Sequence, residues 1–355
     1  MQCPYSHEGN CSKLGLALKM FRPFISMQIV SRKFMSAFIE DQITIALAQI
    51  APIWLNRQTT SAKIIDYITQ AAKQNCRFVA FGETLLPGYP FWLDHTDGAR
   101  FNDDIQKDLH AYYVKQAVDI EAGDLDPICQ AAKQYKIAVM LGCLERPRDR
   151  TGYSVYCSCV YINDQGIIAS VHRKLTPTYE ERLTWAPGDG HGLRTHNLDS
   201  FTIGGLNCWE NWMPLSRAAL YAQGEDLHVG IWPGNMRNTE DLTRFIAKEG
   251  RSFSVAVSGL MRREDIPTDT PHLDKILERC PEILANGGSC IAAPDGQWII
   301  EPVVDKEILL VATLDRNLVR RERQNFDVAG HYSRPDVTRL VVNRERQSLV
   351  RFEDK

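Results

Sequence analysis

From Ile43 onward, apolar positions in this chain fall into two rhythms: short unbroken runs, and stripes spaced three and four residues apart. ITIALAQI (43–50) is rich in β-branched residues and apolar almost throughout, the pattern of a strand buried on both faces. TTSAKIIDYITQAAKQN (59–75) then sets Ile64, Ile65, Ile68 and Ala72 on one helical stripe, with Thr or Ser placed to cap its start. RFVAFGE (77–83) reads as the next strand. A second helix over LDPICQAAKQY (125–135) leads into the strand IAVMLGC (137–143). YCSCVYIN (156–163) and IIASVHRK (167–174) form two strands joined through NDQG, a hairpin-type turn.

The alternation continues. TIGGLNCW (202–209), the helix PLSRAALYAQG (214–224) and LHVGIWP (227–233) are followed by a helix near TRFIAKEGRSF (243–253). The strands VAVSG (255–259), SCIAAP (289–294), WIIEPVV (298–304) and ILLVATL (308–314) come after it, with PDGQ (294–297) as a turn. Both βαβ units and hairpins are present, which implies a layered α/β architecture. No Pro/Gly/Ser-rich linker divides the pattern, so residues 41–343 are expected to form one domain, followed by a charged tail over 344–355.

Residues 1–40 stand apart. LGLALKMFRPFISMQIV is interrupted by Lys19, Arg22 and Pro23, so it does not read as a membrane span. Its basic residues weakly resemble a transit peptide, while Met20, Met27 and Met35 fit a start-site artefact equally well. The segment is expected to be an extension outside the core fold, disordered or artefactual.

Composition narrows the classes. With 44% hydrophobic and 24% charged residues and a formal net charge of -3, the 355-residue chain reads as a soluble globular protein. It lacks the clustered basic face of a nucleic-acid binder; RNLVRRERQ (316–324) fits a solvated helix end or a subunit contact better. The ten cysteines show no CxxC spacing, and reduced thiols in a cytoplasmic protein are expected. Cys157 and Cys159 point to one face of a strand, where packing accounts for them.

The candidate chemistry sits at strand ends. Glu83 ends RFVAFGE, Lys174 ends IIASVHRK, and Cys208 nearly ends TIGGLNCW. Functional groups in α/β sheets gather beyond the carboxyl ends of strands. Singly, each has an ordinary structural reading: a helix cap, a lysine snorkelling to solvent, a cysteine as small core filler. A carboxylate, an amine and a thiol in three such positions are harder to set aside.

GETLLPGYP (82–90), HRKLTPTYEERLTWAPGDG (172–190) and GGLNCWENWMP (204–214) resemble, in order, the three signature regions of the carbon–nitrogen hydrolase, or nitrilase, superfamily. FDVAGHYSRPDV (326–337) resembles the C-terminal signature of its nitrilase branch. The resemblance implies a four-layer α-β-β-α sandwich, a catalytic Glu83–Lys174–Cys208 triad, and an assisting glutamate in PTYEER. Glu181 takes that place, with Glu180 the adjacent alternative. It implies hydrolysis of a small organic nitrile to a carboxylic acid and ammonia through a cysteine-bound intermediate, and pairing into homodimers that build larger homo-oligomers or spirals. Amide hydrolysis, cyanide processing and a non-catalytic scaffold are the alternatives.

A thiolate adds readily to a nitrile carbon, but free cysteine is mostly protonated at neutral pH. Lys174 is expected to favour the thiolate, Glu83 to act as general base, and the backbone N–H of Trp209 to serve as an oxyanion donor. Tyr89, Trp185, Asn211 and Trp212 are expected to wall the substrate pocket, although for Trp209 core packing is the better reading of the side chain. His172 allows a Cys–His dyad on geometry, with a structural hydrogen bond preferred. No HExxH or paired Cys/His cluster occurs, so neither a metal nor another cofactor is expected. The two glycines of GGLNC fit close backbone packing beside the nucleophile.

Overall fold

The computed structural model describes residues 41–350 and 353. The expected extension over residues 1–40 lies outside the described residues. Chain order begins β1 (Gln42–Gln49), β2 (Phe78–Phe81), β3 (Ala138–Glu145), β4 (Tyr156–Ile162), β5 (Ile168–Arg173) and β6 (His196–Leu198). It continues β7 (Phe201–Asn207), β8 (Leu227–Trp232), β9 (Phe253–Ser258), β10 (Leu260–Arg262), β11 (Ile283–Ala292), β12 (Trp298–Val304) and β13 (Ile308–Asp315).

These strands form two sheets. One runs β13–β1–β2–β3–β4–β5; the other runs β10–β11–β9–β8–β7–β6, with β12 paired to β11. The parallel pairs β1–β2 and β2–β3 in the first sheet have counterparts in β7–β8 and β8–β9 in the second. Period-two alternation divides each strand between two cores. Ile43, Ile45 and Leu47 of β1 meet Ile203, Val229 and Val255 between the sheets. Ala46 and Ala48 face outward, onto Ile64 and Ile68 of the helix Arg57–Lys73 and Ile128 of the helix Asp126–Tyr135.

On the outer face of the second sheet, Leu242 and Ile246 of the helix Met236–Gly250 pack against Ala256 and Cys290. Leu220 of the helix Pro214–Tyr221 packs against Leu206. The order of layers is therefore helix, sheet, sheet, helix. This is the four-layer sandwich, and it explains why the strands read as continuous apolar runs: both faces are covered.

Several details depart from the pattern-based expectations. The helix Arg57–Lys73 is capped by Asn56, whose side chain accepts from the Thr59 N–H; Thr60 instead bonds back to Ile53. Helices over Asp104–Gln116 and Leu273–Arg279 are absent from the pattern reading, although Ile105, Leu109 and Tyr113 in the first and Leu273, Ile276 and Leu277 in the second keep helical spacing and pack in one core. RNLVRRERQ forms the helix Arg316–Arg323, whose arginines serve the fold itself: Arg316 and Arg323 pair with Asp226, and Arg320 with Asp41. The start of the charged tail lies against the domain, with Arg346 donating to Asp189 and to the Val171 carbonyl. Among the described residues, no helix is long and apolar enough to cross a membrane.

Gly142 in β3 shows how tightly the sheet is drawn against the first strand end. A Cβ at this position would sit 2.2 Å from the Gly82 carbonyl oxygen and 2.7 Å from Glu83 Cα. Backbone on that side cannot yield as a side chain would. Gly142→Ala is expected to lower stability by about 1–3 kcal/mol and to reduce turnover by displacing Glu83. A denaturant midpoint and a turnover rate equal to wild type would show that the contact is slack.

Candidate active site

The strand ends converge. Lys174 follows β5 directly, and Cys208 follows β7 and opens a 3-10 turn, Cys208–Trp212. Glu83 lies just beyond β2, where its N–H donates to the carbonyl of Trp232 at the end of β8, in the facing sheet. Glu181 sits in the short 3-10 helix Tyr179–Leu183, as the third residue of a capping box with Thr178.

Lys174 Nζ lies 2.9 Å from Glu83 Oε1 and 2.7 Å from Glu181 Oε2. Glu181, Glu83 and Cys208 each have a ligating atom within 4.8 Å of the other two. Two carboxylates and a thiol so close together could hold a metal ion, but the Lys174 ammonium already stands between the carboxylates as their cation. All four side chains are buried. Glu180, the adjacent alternative, is half-buried and reaches the Tyr89 hydroxyl at 3.2 Å, whereas the lysine's partner is Glu181.

The backbone is strained at these points. Thr84, Tyr179 and Cys208 have φ of 44°, 40° and 46°, a left-handed region that non-glycine residues seldom occupy. Each such residue costs about 1–3 kcal/mol, so the surroundings must enforce it. At Cys208 they do. Asn211, fully buried, donates from Nδ2 to the carbonyls of Cys208 (2.7 Å) and Leu206 (3.2 Å). Its Oδ1 faces His228 Nε2 at 2.8 Å, and His228 Nδ1 in turn meets Glu225. Arg217 donates to the Asn211 carbonyl at 2.6 Å. The two glycines before the nucleophile are also needed for space: a Cβ on Gly204 would meet Glu225 Oε1 at 2.1 Å, and one on Gly205 the Val229 carbonyl at 2.7 Å.

Electrostatics inside the cluster follow from counting charges. With Glu83 and Glu181 ionised and Lys174 protonated, the site already carries net negative charge. Burial and the Glu83 charge push the Cys208 thiol well above its ordinary range, and they outweigh Lys174. Lys174 pulls in the direction expected of it, towards the thiolate, but it is the smaller influence on the sulfur. Burial likewise raises Glu83, against the pull of Lys174 and with the help of Glu181. Burial opposes the charge of Lys174, yet Glu83 and Glu181 hold its ammonium well above the usual range.

The remaining expected residues divide. Tyr89 donates to Glu181 Oε1 at 2.9 Å and stacks edge-on to Trp185, with ring centroids 5.5 Å apart. Trp185 lies under Lys174, whose Nζ is 5.4 Å from the ring, and donates to the Tyr113 hydroxyl. The Trp209 N–H faces the Cys208 sulfur, but its side chain is 52% exposed and not in the core as expected. Trp212 is 50% exposed. Asn211 lies beneath the nucleophile turn, where both ends of its amide are bonded within the protein. His172 bonds Glu210 at 3.0 Å and forms no dyad with the cysteine.

A solvent-open cavity of about 700 Å³ lies beside the site, lined by Leu93, Asp94, Arg100, Tyr179, Glu180 and Leu183 among others. None of the four expected wall residues lines it. Tyr113 and Cys157 are site neighbours that the sequence reading missed.

A four-layer sandwich carrying a buried thiol between an acid pair and an ammonium is the equipment of a hydrolase acting on carbon–nitrogen bonds. The chain belongs to the carbon–nitrogen hydrolase family, whose model matches residues 44–324, and within it to the nitrilase branch. It is 37% identical over 315 residues to a protein named Nitrilase 2 from an unknown prokaryotic organism, covering 88% of this chain and 96% of that one. An aliphatic nitrilase of Sinorhizobium fredii (strain HH103) is 33% identical, covering 86% and 97%. Among solved structures, a carbon–nitrogen hydrolase from Helicobacter pylori G27 superposes with a TM-score of 0.63 at 18% identity, covering 84% of this chain and 97% of that one. That likeness establishes the fold alone.

Proposed function

We propose that the protein hydrolyses an organic nitrile and two waters to a carboxylic acid and ammonia, with Cys208 as nucleophile, Glu83 as general base, and Lys174 and Glu181 as supports. The observation that carries this reading is the shared lysine: two of its three N–H groups are taken by Glu83 and Glu181, which leaves one for the substrate.

Glu83 takes the Cys208 proton as sulfur bonds to the nitrile carbon, so no second negative charge is created among the carboxylates. The nitrogen gains negative charge, accepts a hydrogen bond from the third Lys174 N–H, and takes the thiol proton back from Glu83 to give a neutral thioimidate, which restores the Glu83 carboxylate. Water, deprotonated by Glu83, adds to that carbon. Glu83 relays both protons of this water to the nitrogen, so breaking the carbon–nitrogen bond releases ammonia and leaves a thioester. A second water, deprotonated by Glu83, adds to the thioester, and its proton passes from Glu83 to the departing sulfur, which releases the acid and restores the thiol. Breaking the carbon–sulfur bond at the tetrahedral stage releases an amide instead. The Trp209 N–H supplies a further donor to the oxyanion. Lys174 provides the positive charge throughout, and no metal is invoked.

Tyr89 and Trp185 are the substrate-facing aromatics of this reading, and Trp212 an outer one. A nucleophilic thiol must stay reduced, which supports a cytoplasmic setting. Exposed apolar side chains at Trp209, Trp212, Leu215 and Phe245 support self-association, first into homodimers and then into larger assemblies.

The test is a panel of aliphatic, aromatic and arylaceto-nitriles with ammonia, acid and amide all quantified. Ammonia and acid in equal amounts from at least one nitrile are expected. Brisk ammonia from amides with none from any nitrile would replace this reading with amide hydrolysis.

A further inference from the structure

Glu83 presents two unlike oxygens. Oε1 accepts from Lys174 Nζ at 2.9 Å and lies 3.4 Å from Cys157 Sγ; Oε2 is buried with no hydrogen-bond partner. Cys157 itself is fully buried in β4, and its other polar neighbour is Asn207 Oδ1 at 3.8 Å. Both neighbours are acceptors, so the sulfur fits there only as a donor, an S–H. Its surroundings keep it so: burial and the Glu83 charge push this thiol well above its ordinary range. Two thiols thus approach one carboxylate, with different duties.

We propose that Cys157 is a positioning residue for the reaction, its S–H holding Glu83 Oε1 together with Lys174 so that Oε2 is left as the free base. This rests on the reading of Glu83 as general base. The terminal torsion of a glutamate is broad and nearly two-fold, so a single donor allows the carboxylate plane to swing. A second donor on the same oxygen fixes the plane and keeps the two oxygens from exchanging roles. It also draws charge from the carboxylate and so lowers its basicity. The groups facing Glu83 are Lys174, Glu181, Cys157 and Cys208, with the Tyr89 and Tyr113 hydroxyls beyond them. Burial and Glu181 raise the carboxyl; Lys174 and Cys157 lower it.

Losing the Cys157 donor therefore moves the ionisation of Glu83 to higher pH. The experiment compares wild type with Cys157→Ala, Cys157→Ser and Cys157→Val. In each, the pH dependence of Cys208 alkylation by iodoacetamide, located by peptide mass, is measured beside that of kcat and KM for a nitrile. In Cys157→Ala and Cys157→Val the alkylation midpoint and the acid limb of kcat are expected to rise by about half a pH unit or more. Here kcat is expected to fall about tenfold with KM within about twofold.

Cys157→Ser, which keeps a donor, is expected to return all three towards wild type. If the alanine variant does not fold, the serine–valine pair carries the same comparison. Unshifted midpoints in the donor-less variants, or a serine variant shifted as far as they are, would overturn the proposal. Alkylation needs no nitrile turnover, so shifted midpoints in a chain that hydrolyses no nitrile would defeat the functional reading alone.

Discussion

Cys208→Ala is expected to yield a folded protein that no longer releases ammonia from nitriles, with turnover down on the order of 10^4-fold or more. The change removes only Sγ from a buried site whose partners are carboxylates that the neutral thiol does not neutralise. The turn is held by Asn211 and Arg217 through backbone carbonyls, none of which the substitution touches. Circular dichroism and a melting temperature close to wild type should accompany the lost activity. Measurable acid production by the purified variant would mean that the covalent step lies elsewhere.

Lys174→Met is expected to be the most damaging of these changes to stability, and to lower activity as well. Methionine nearly matches the lysine in length, so packing is largely kept and the charge alone is lost. Glu83 and Glu181 are then buried facing one another with no cation. Breaking a buried pair in this way costs about 3–5 kcal/mol, and losing a preorganised donor about 10^2–10^3 in turnover.

The deficit has a predictable sign with pH. Glu83, already raised above its unfolded value by burial and by Glu181, loses the opposing pull of Lys174 and is raised further. A raised carboxyl binds more protons folded than unfolded, so stability is retained below the unfolded pKa and lost as pH rises through the folded one. The melting temperature of Lys174→Met, relative to wild type, should therefore be less depressed at pH 5 than at pH 8. An equal depression at both would mean that the carboxylates do not depend on this lysine.

Much of the site is legible in the sequence because its residues end strands whose apolar runs are unmistakable. Glu83, Lys174 and Cys208 occupy the carboxyl ends of β2, β5 and β7; β2 and β7 lie beside parallel neighbours, and two successive antiparallel pairings, β3–β4 and β4–β5, turn β5 to point the same way as β2. The choice of Glu181 over Glu180 was also within reach, since the third position after Thr178 completes a capping box. Cys157 was not. It lies across the hairpin from Lys174, whose N–H donates to the Cys157 carbonyl. Counting back from the turn fails, because the register slips between Tyr161 and Ile162. Asn211 and Trp209 show the same limit in the nucleophile turn, where a 3-10 geometry sends neighbouring side chains to opposite environments.

Local pattern by itself determined the strands, most of the helices and the placing of Glu83, Lys174 and Cys208 at strand ends, because hydrophobic period and strand-end position are properties of short segments. Only the tertiary structure decided their surroundings: that burial and Glu83 push the Cys208 thiol up, that one lysine pairs with two glutamates, and that one oxygen of Glu83 is bonded while the other has no partner. Those outcomes depend on burial and on distances between β2, β4, β5 and β7. Charge interactions in a dry interior are set by how the sheets stack, which no single stretch of sequence contains.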